Sequence, residues 1–317
     1  MKIAYLASYG IGNVIMKTPA IQALRELYPD DRIDLIVEES RLSYGGRELL
    51  SGWNKVDNVI VNRSSEIYDL AVVGVPYNGR LRVSARSATK PPDNWPGYHE
   101  PERWLKNEVE YNVDIIRLLG WNGCIPPLHV ELRQEALDSV SWMKKLSRPI
   151  VIFGIGYKHE GEWWRKHWGN AHFAQLTSIM HDNGWTVVLV GGPEDRKNAD
   201  EIALLSGDVI VDTVGEFTLS ETVAATSMAE MYVGNDTGSA HIAAALGKVV
   251  AVLYGITASD IVKNRPWTDR VLTIWKEDLE CQPCTARDTC QNVRCMTELE
   301  PEDVADRIFS YLKEVKR

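Results

Sequence analysis

The sequence lacks a long apolar run. No stretch approaches the ~20 apolar residues that a membrane-spanning helix needs. Gly10 and Gly12 interrupt the first apolar segment too early for a secretion signal. We therefore interpret residues 3–7 as a first buried strand. The expectation is a cytoplasmic protein that meets a membrane only peripherally.

Basic residues are outnumbered by acidic ones, with 35 Lys and Arg against 44 Asp and Glu and a formal net charge of −9. This balance argues against general nucleic-acid binding, which needs clustered Lys and Arg. It still permits a local cationic pocket for a small phosphorylated ligand. Internal repeats and low-complexity tracts are also missing from the sequence, so the composition is that of an ordinary globular protein.

Strand and helix signals alternate along the chain, which predicts an α/β fold with parallel sheets covered by helices on both faces. The buried-strand candidates are residues 3–7, 33–37, 59–61, 70–73, 150–153, 187–190, 231–233 and 249–253. A helix is predicted at residues 109–119, and Pro19 predicts a kink or a late start in an earlier helix. Residues 80–100 show no clean periodicity and are interpreted as a long loop.

The length of 317 residues suggests two domains. The strand pattern begins again near residue 150, which predicts doubly wound domains at residues 1–147 and 148–299. A C-terminal helix follows within residues 300–317. Because ligands bind outside the carboxyl ends of strands in such sheets, we expect the functional residues there, beside a cleft between the two domains.

The strongest local pattern is the segment of residues 231–241, where a buried strand ends and a helix begins. Asp236 and Thr237 are residue types that cap helices. The free N–H groups and the positive dipole end of a helix start form an anion site, and Gly238 removes a side chain that would block close approach. The competing interpretation is an ordinary strand-to-helix turn.

Two weaker patterns also suggest phosphate or ligand binding. Lys166 precedes a predicted helix and could neutralise a diphosphate, although a solvated lysine is the common alternative. Gly10 and Gly12 follow the first strand, but Ile15 occupies the third position of the dinucleotide-binding glycine spacing. A tight turn is therefore a fair competing interpretation.

Four of the five cysteines lie within fifteen positions, at Cys281, Cys284, Cys290 and Cys295. Four thiols this close in a cytoplasmic chain suit a tetrahedral Zn or Fe site, and disulfides would be unusual there. A reduced loop, or thiols that oxidise on isolation, are the alternatives. In each case the expected role is structural.

Several of these motifs together resemble the heptosyltransferases of glycosyltransferase family nine. The resemblance rests on residues 234–247 with 254–257, on residues 10–20, on residues 189–195 and on the four-cysteine stretch that ends at Cys295. It covers nearly the whole chain, and the motif at residues 234–247 is the most specific.

The resemblance implies a GT-B fold and an inverting transfer from an ADP-activated heptose, with no metal needed for the chemistry. Lys166, Asp236, Thr237, Gly238 and His241 fall on the donor-binding positions. The implied acceptor is a lipopolysaccharide core sugar or another glycan or glycolipid, which would bring the protein to the inner face of the inner membrane. The resemblance also implies a C-terminal helix that packs on the first domain.

One departure from the family concerns the catalytic base. The family carries an Asp at the position of Asn13, and an amide has no basic lone pair at neutral pH. Three interpretations stay open. Glu100 or His99 is the base, Asn13 only orients the acceptor hydroxyl, or the chain binds the donor without efficient transfer. A transferase that acts on a protein acceptor is a further alternative.

Overall fold

The structure is a computed structural model that describes residues 1–39, 45–77, 79–89, 105–157, 159, 161–207, 209–282, 284 and 289–315. The chain divides into two compact units. The first comprises Met1–Glu131 and Val262–Trp267, and the second comprises Leu132–Ile261 and Thr268–Arg317. No helix in the described ranges is long and apolar enough to cross a membrane.

The first unit is built on a parallel five-stranded sheet. Its strands are β1 (Lys2–Ala7), β2 (Arg32–Val37), β3 (Asn58–Val61), β4 (Arg63–Val73) and β5 (Arg82–Ala88), in the order β3-β2-β1-β4-β5. Its helices are α1 (Ile11–Met16), α2 (Thr18–Leu27), α3 (Gly46–Leu50) and α4 (Glu108–Leu118). The central strand β1 is almost fully buried and pairs in parallel with β2 and β4. Its carboxyl end leads directly into α1.

The helix boundaries of the first unit follow from local sequence. Pro19 lies in the first turn of α2, where its missing N–H costs nothing, so the predicted break separates α1 from α2. The predicted helix at residues 109–119 is α4. Asn107 caps it, because the Asn107 side chain accepts a hydrogen bond from the backbone N–H of Val109 at 3.0 Å, and Glu110 completes a capping box.

Strand β5 corrects the predicted loop over residues 80–100. Arg82–Ala88 pairs in parallel with β4, with Leu70 opposite Ser87. The strand lies at the edge of the sheet and most of its residues are exposed. Only Val83 and Ala85 alternate with polar residues in this edge strand, and so short an apolar pattern did not predict a strand.

The second unit has a parallel six-stranded sheet in the order β11-β10-β9-β6-β7-β8. Its strands are β6 (Ile150–Gly154), β7 (Thr186–Val190), β8 (Ile210–Asp212), β9 (Met231–Asn235), β10 (Val249–Tyr254) and β11 (Val271–Trp275). Its helices are α5 (Gln134–Ser139), α6 (Asn170–Asp182), α7 (Arg196–Ser206), α8 (Leu219–Met228), α9 (Gly238–Ala245), α11 (Arg294–Thr297) and α12 (Pro301–Val315), while α10 (Ile261–Asn264) lies where the chain passes to the first unit. Both units confirm the predicted α/β class with parallel sheets.

The C-terminal helix α12 packs within the second unit. Val304, Ala305 and Ile308 are buried in the core of this unit, against α6 and β11. The apolar face of α12 is therefore covered by its own unit, and the packing on the first domain that the resemblance implied stays a prediction. Val262–Trp267 belongs to the first unit although it follows residues of the second.

The division between the units also differs from the boundary predicted at residue 147. The second unit begins at Leu132, because α5 packs against α8 of that unit. Helix α5 comes before the first strand of the second unit. A boundary placed where the strand pattern restarts, near residue 150, therefore lies after the first residues of that unit.

Candidate functional site

The second unit presents a strand-to-helix junction at β9 and α9. Thr237 is the N-cap residue of α9 and its side chain makes no capping hydrogen bond. The Thr237 hydroxyl instead lies 2.9 Å from Ser239 Oγ. A Cβ on Gly234 would lie 2.5 Å from the Tyr232 hydroxyl and 2.6 Å from the carbonyl oxygen of Gly154, so glycine is required at the strand end. Within the described part of the chain, the N-cap side chain thus leaves the first N–H groups of α9 uncapped.

Lys166 is brought to this junction by a short 3₁₀ helix, Gly161–Lys166. Its Nζ donates to Asp236 Oδ2 at 2.8 Å and to the Asp236 carbonyl oxygen at 3.1 Å. Burial acts to raise the pKa of the Asp236 carboxyl, but the Lys166 ammonium outweighs it and holds the pKa below its usual range. The Asp236 carboxyl is therefore ionised at neutral pH.

His241 lies one turn into α9 and is almost fully buried. Burial lowers the pKa of His241 to about 4, so the imidazole is neutral at pH 7. Within the described parts of the chain, its Nδ1 has no hydrogen-bond partner. An unsatisfied buried nitrogen costs stability, and such groups are frequent where a ligand or water completes the site.

A neighbouring residue, Asn235, has a role that sequence analysis missed. Asn235 is fully buried at the end of β9, and its Oδ1 accepts from the backbone N–H of Trp168 at 3.2 Å. Its Nδ2 donates to the carbonyl oxygen of Ile155 at 3.3 Å. Asn235 thus joins β9 to the strand β6 and to the segment that carries Lys166. A fully buried Asn in an apolar strand was the available signal, since buried amides need partners.

The first unit has its own polar cluster at the carboxyl end of β1. Gly10 precedes α1, and Gly12 and Asn13 lie within it. Among the described atoms, a Cβ on Gly10 would meet nothing within 4 Å, so packing does not require glycine there. Asn13 is half-buried, and its Nδ2 donates to both carboxylate oxygens of Glu108, at 3.1 Å and 2.8 Å.

Glu108 and Lys17 form a fully buried ion pair beneath Asn13. Lys17 Nζ lies 3.1 Å from Glu108 Oε1, and both side chains are 0% exposed. Burial lowers the pKa of Lys17, against the effect of the Glu108 carboxylate. Sequence analysis missed both residues, because an acid in the first turn of a helix and a lysine before a helix are ordinary on surfaces. His99 and Glu100, the proposed alternative bases, lie outside the described residues.

The four cysteines lie between residues 281 and 296, which we call the cysteine segment. Cys284 and Cys295 are buried and Cys281 is exposed. Burial and then the nearby Cys284, Cys290 and Cys281 raise the pKa of the Cys295 thiol to about 12. Among the described residues, which include all four cysteines, no group of three or more His, Cys, Asp or Glu is placed to hold a metal ion.

The cysteine segment makes two contacts with residues near the junction, at Gly255 and at Arg165. A Cβ on Gly255 would lie 2.4 Å from Met296 Sδ, so the end of β10 packs directly on the residue after Cys295. Arg165 Nε donates to the carbonyl oxygen of Cys290 at 2.6 Å. The segment therefore supports both β10 and the residue that precedes Lys166.

Comparison with known proteins gives consistent results. Residues 126–293 match the model of glycosyltransferase family 9 (heptosyltransferase). Lipopolysaccharide heptosyltransferase 3 of Escherichia coli is 25% identical over 320 residues, which cover 86% of this chain and 88% of that protein.

Solved structures show the same fold. The E. coli ADP-heptose lipopolysaccharide heptosyltransferase II superposes with a TM-score of 0.73 at 18% identity, over all of both chains. The family 9 glycosyltransferase of Veillonella parvula superposes with a TM-score of 0.78 at 17% identity, over 99% of this chain and 97% of that one. The predicted GT-B fold is thereby confirmed.

A structure described as a dodecameric iron-containing heptosyltransferase, TibC, in complex with ADP-D-β-D-heptose is also similar. Its TM-score is 0.65 at 13% identity, over 99% of this chain and 77% of that one. The iron is a property of TibC and is not attributed to the present chain.

Proposed function

This chain belongs to glycosyltransferase family 9 (heptosyltransferase), and we propose that it transfers a heptose-type sugar from an ADP-sugar to a hydroxyl of a lipopolysaccharide core or another cell-surface glycan. The observation that carries the proposal is the group of Lys166, Asp236 and His241 at the uncapped start of α9. The family relatives named above support the heptose and the lipopolysaccharide acceptor.

The geometry of the junction suits a diphosphate. An ammonium has three donors and the contacts of Lys166 with Asp236 use two of them, so one is left for a phosphate oxygen. The N–H groups at the start of α9 and the positive end of its dipole add donors of fixed direction. Asp236 holds Lys166 in place while leaving it charged. Gly238 keeps the approach to these N–H groups open.

In the proposed reaction the acceptor oxygen bonds to the anomeric carbon from the face opposite the diphosphate, so the configuration inverts. The bond from this carbon to the diphosphate breaks with its electron pair on ADP. Lys166 and the start of α9 stabilise the charge that develops there. The hydroxyl proton passes to a base, for which Glu100 and His99 stay the proposed candidates. An acceptor with a lipid part would bring the protein to the inner face of the inner membrane.

A structural Zn or Fe at the four cysteines stays a prediction, and the proposed reaction uses no metal. We propose that the segment has a structural role in either case. It supports the donor site through the packing of Met296 on Gly255 and through the hydrogen bond from Arg165 to Cys290.

Donor binding is tested by thermal shift and calorimetry with ADP, UDP and GDP. ADP at about a hundred times its Kd should stabilise the protein by about 2.7 kcal/mol, with smaller effects of UDP and GDP. Lys166→Met should weaken ADP binding by about tenfold or more, because a charge-assisted hydrogen bond is lost. The control is Lys197→Met, an exposed lysine of the same unit. Equal shifts with all three nucleotides would contradict the ADP assignment.

Transfer itself is measured as ADP release from ADP-heptose, with heptose-deficient lipopolysaccharide as acceptor and with a protein acceptor in parallel. The proposed function predicts release that depends on the lipopolysaccharide. ADP binding without release on any acceptor would instead identify a donor-binding protein whose catalysis is lost. Release that needs the protein acceptor would reassign the substrate.

A further inference from the structure

The cluster at the carboxyl end of β1 contains a buried carboxylate that the donor site does not use. Glu108 is fully buried, and the side chains that contact it are donors, namely the Lys17 ammonium and the Asn13 amide. Glu108 is also the first residue of α4, where the positive end of the helix dipole favours a negative charge. The Glu108 carboxylate is thus stabilised by the Lys17 ammonium, the Asn13 amide and the start of α4.

This arrangement fixes which way the Asn13 amide faces. Its nitrogen lies 2.8 Å from Glu108 Oε2, and the flipped amide would instead place Oδ1 against a carboxylate. With the nitrogen directed inward to Glu108, Oδ1 is directed away from the buried pair. In the described part of the chain Oδ1 has no hydrogen-bond partner and is not among the buried unsatisfied atoms, so it reaches the accessible side.

We propose that Glu108 is a positioning residue for sugar transfer, which holds the Asn13 amide so that Asn13 Oδ1 accepts a hydrogen bond from the attacking hydroxyl of the acceptor. This inference rests on the proposed function. It assigns Asn13 the task of orienting the hydroxyl, and it makes positions 13 and 108 a coupled amide and carboxylate pair.

The coupling has a consequence for Asn13→Asp. The new carboxylate would lie about 3 Å from Glu108, and two carboxylates at this distance share a proton. Ionisable groups that face the pair are Lys17 from the α1–α2 junction, Tyr5 from β1 and Tyr9 from the loop before α1. Lys17 favours ionisation of one carboxylate, and neither tyrosine supplies a positive charge. The folded variant therefore keeps a proton that its unfolded chain loses.

The first experiment measures the melting temperature of Asn13→Asp and of the wild type between pH 5 and pH 8. A carboxyl whose pKa is raised by folding stabilises the protein at low pH, and this contribution is lost as the pH rises through the folded pKa. The variant should therefore fall further below the wild type as the pH rises from 5 to 8, and the difference in melting temperature should grow by several degrees, about 3 °C or more.

Two matched variants control this measurement. Asn122→Asp adds the same charge at an exposed site of the same unit. Asn13→Asp combined with Glu108→Gln leaves a single carboxylate in the pair. Both should keep a difference from the wild type that is constant with pH. A constant difference for Asn13→Asp itself would overturn the pairing, whatever the activity.

The second experiment asks whether transfer uses the pairing. Lys17→Met with Glu108→Ala removes both buried charges and frees the Asn13 amide, and kcat/KM for the acceptor should fall about tenfold or more. Lys17→Met with Glu108→Gln is equally uncharged but keeps an oxygen for the Asn13 nitrogen, so it should stay within about threefold of the wild type. The ADP-induced thermal shift should be the same in both.

The outcomes separate this inference from the proposed function. Equal losses in the Ala and Gln double variants, with wild-type transfer intact, would overturn the positioning role alone. No transfer by the wild type on any acceptor would overturn the proposed function and with it the use of Asn13 in transfer.

Discussion

At the start of α9, Asp236 and His241 are both buried but differ in protonation state. Lys166 and Asp236 stay ionised together, since the ammonium outweighs the effect of burial on the carboxyl pKa. His241, one turn further into α9, is held neutral because burial outweighs the raising effect of the Asp236 carboxylate on its pKa. The junction therefore offers one cation with a fixed counterion and one neutral imidazole, which suits a ligand whose diphosphate is accompanied by uncharged sugar hydroxyls.

The neutral state of His241 predicts an acid-sensitive donor unit. Its pKa is about 4 when folded and near 6.5 when unfolded. Below pH 6.5 the unfolded chain binds a proton that the folded chain refuses, so stability falls as the pH falls. Between pH 7.5 and pH 5 this one group should cost about 2 kcal/mol. His241→Gln should remove that part of the pH dependence, measured by urea unfolding at both values.

His181→Gln provides the control for this measurement, since it removes an exposed imidazole from α6 of the same unit. The two variants should differ in the change of unfolding free energy between the two pH values. If His241→Gln retained the full change seen in the wild type, the imidazole would not be held neutral by the fold.

At the scale of elements, sequence patterns predicted the buried strands but not the polar contacts between residues that are distant in sequence. β1, β6, β9 and β10 are short apolar runs, and burial alone accounts for that signal. β5 is exposed at a sheet edge and gave no signal. The pair of Lys17 and Glu108 is ninety-one residues apart in sequence, and only the packing of α4 beside the α1–α2 junction brings the two charges together.

The donor junction was predictable because its parts are adjacent in sequence. The strand end, the capping residue types and Gly238 lie within five positions, so local chemistry indicated an anion site. Its support was not predictable, because Arg165 contacts Cys290 across 125 positions. The cysteines gave a metal hypothesis from their spacing alone, and spacing does not fix whether four thiols converge.

The cysteine segment yields a prediction at this scale. Cys281 is exposed, whereas Cys295 is buried with a pKa of about 12 that keeps it a thiol. Iodoacetamide at pH 8 should therefore modify Cys281 and spare Cys295, because the thiolate is the reactive form. Peptide mapping by mass spectrometry reads this out, and denaturant should expose all five cysteines. In protein purified without added metal, less than about a tenth of an equivalent of Zn and Fe together would contradict a metal site at these cysteines.

A bound metal would give the opposite pattern. Stoichiometric Zn or Fe, with Cys281 protected until a chelator is added, would show that the four thiols converge after all. The segment would then be a metal site rather than a packed support.

At the scale of the whole molecule, the chain passes between its two units three times. Val262–Trp267 returns to the first unit, where the carbonyl oxygen of Arg265 accepts from Asn107 Nδ2 at 2.8 Å. Asn107 is the N-cap of α4, so this short return supports the start of the helix that carries Glu108. Six residues without an apolar pattern give no sequence signal for such a crossing.

The packing of α12 gives the last prediction. Ile308 is fully buried in the core of the second unit, together with Val304. Ile308→Ala should destabilise the protein by about 2–5 kcal/mol, because it leaves a cavity that the surrounding side chains fill only partly. The control, Leu204→Ala, truncates a side chain of the same unit that is 80% exposed and should change stability little. Because Met231 and Val233 of β9 share this core with Ile308, saturating ADP should restore part of the loss in melting temperature. A melting temperature unchanged by Ile308→Ala would mean that α12 is not part of this core, and would reopen its packing elsewhere.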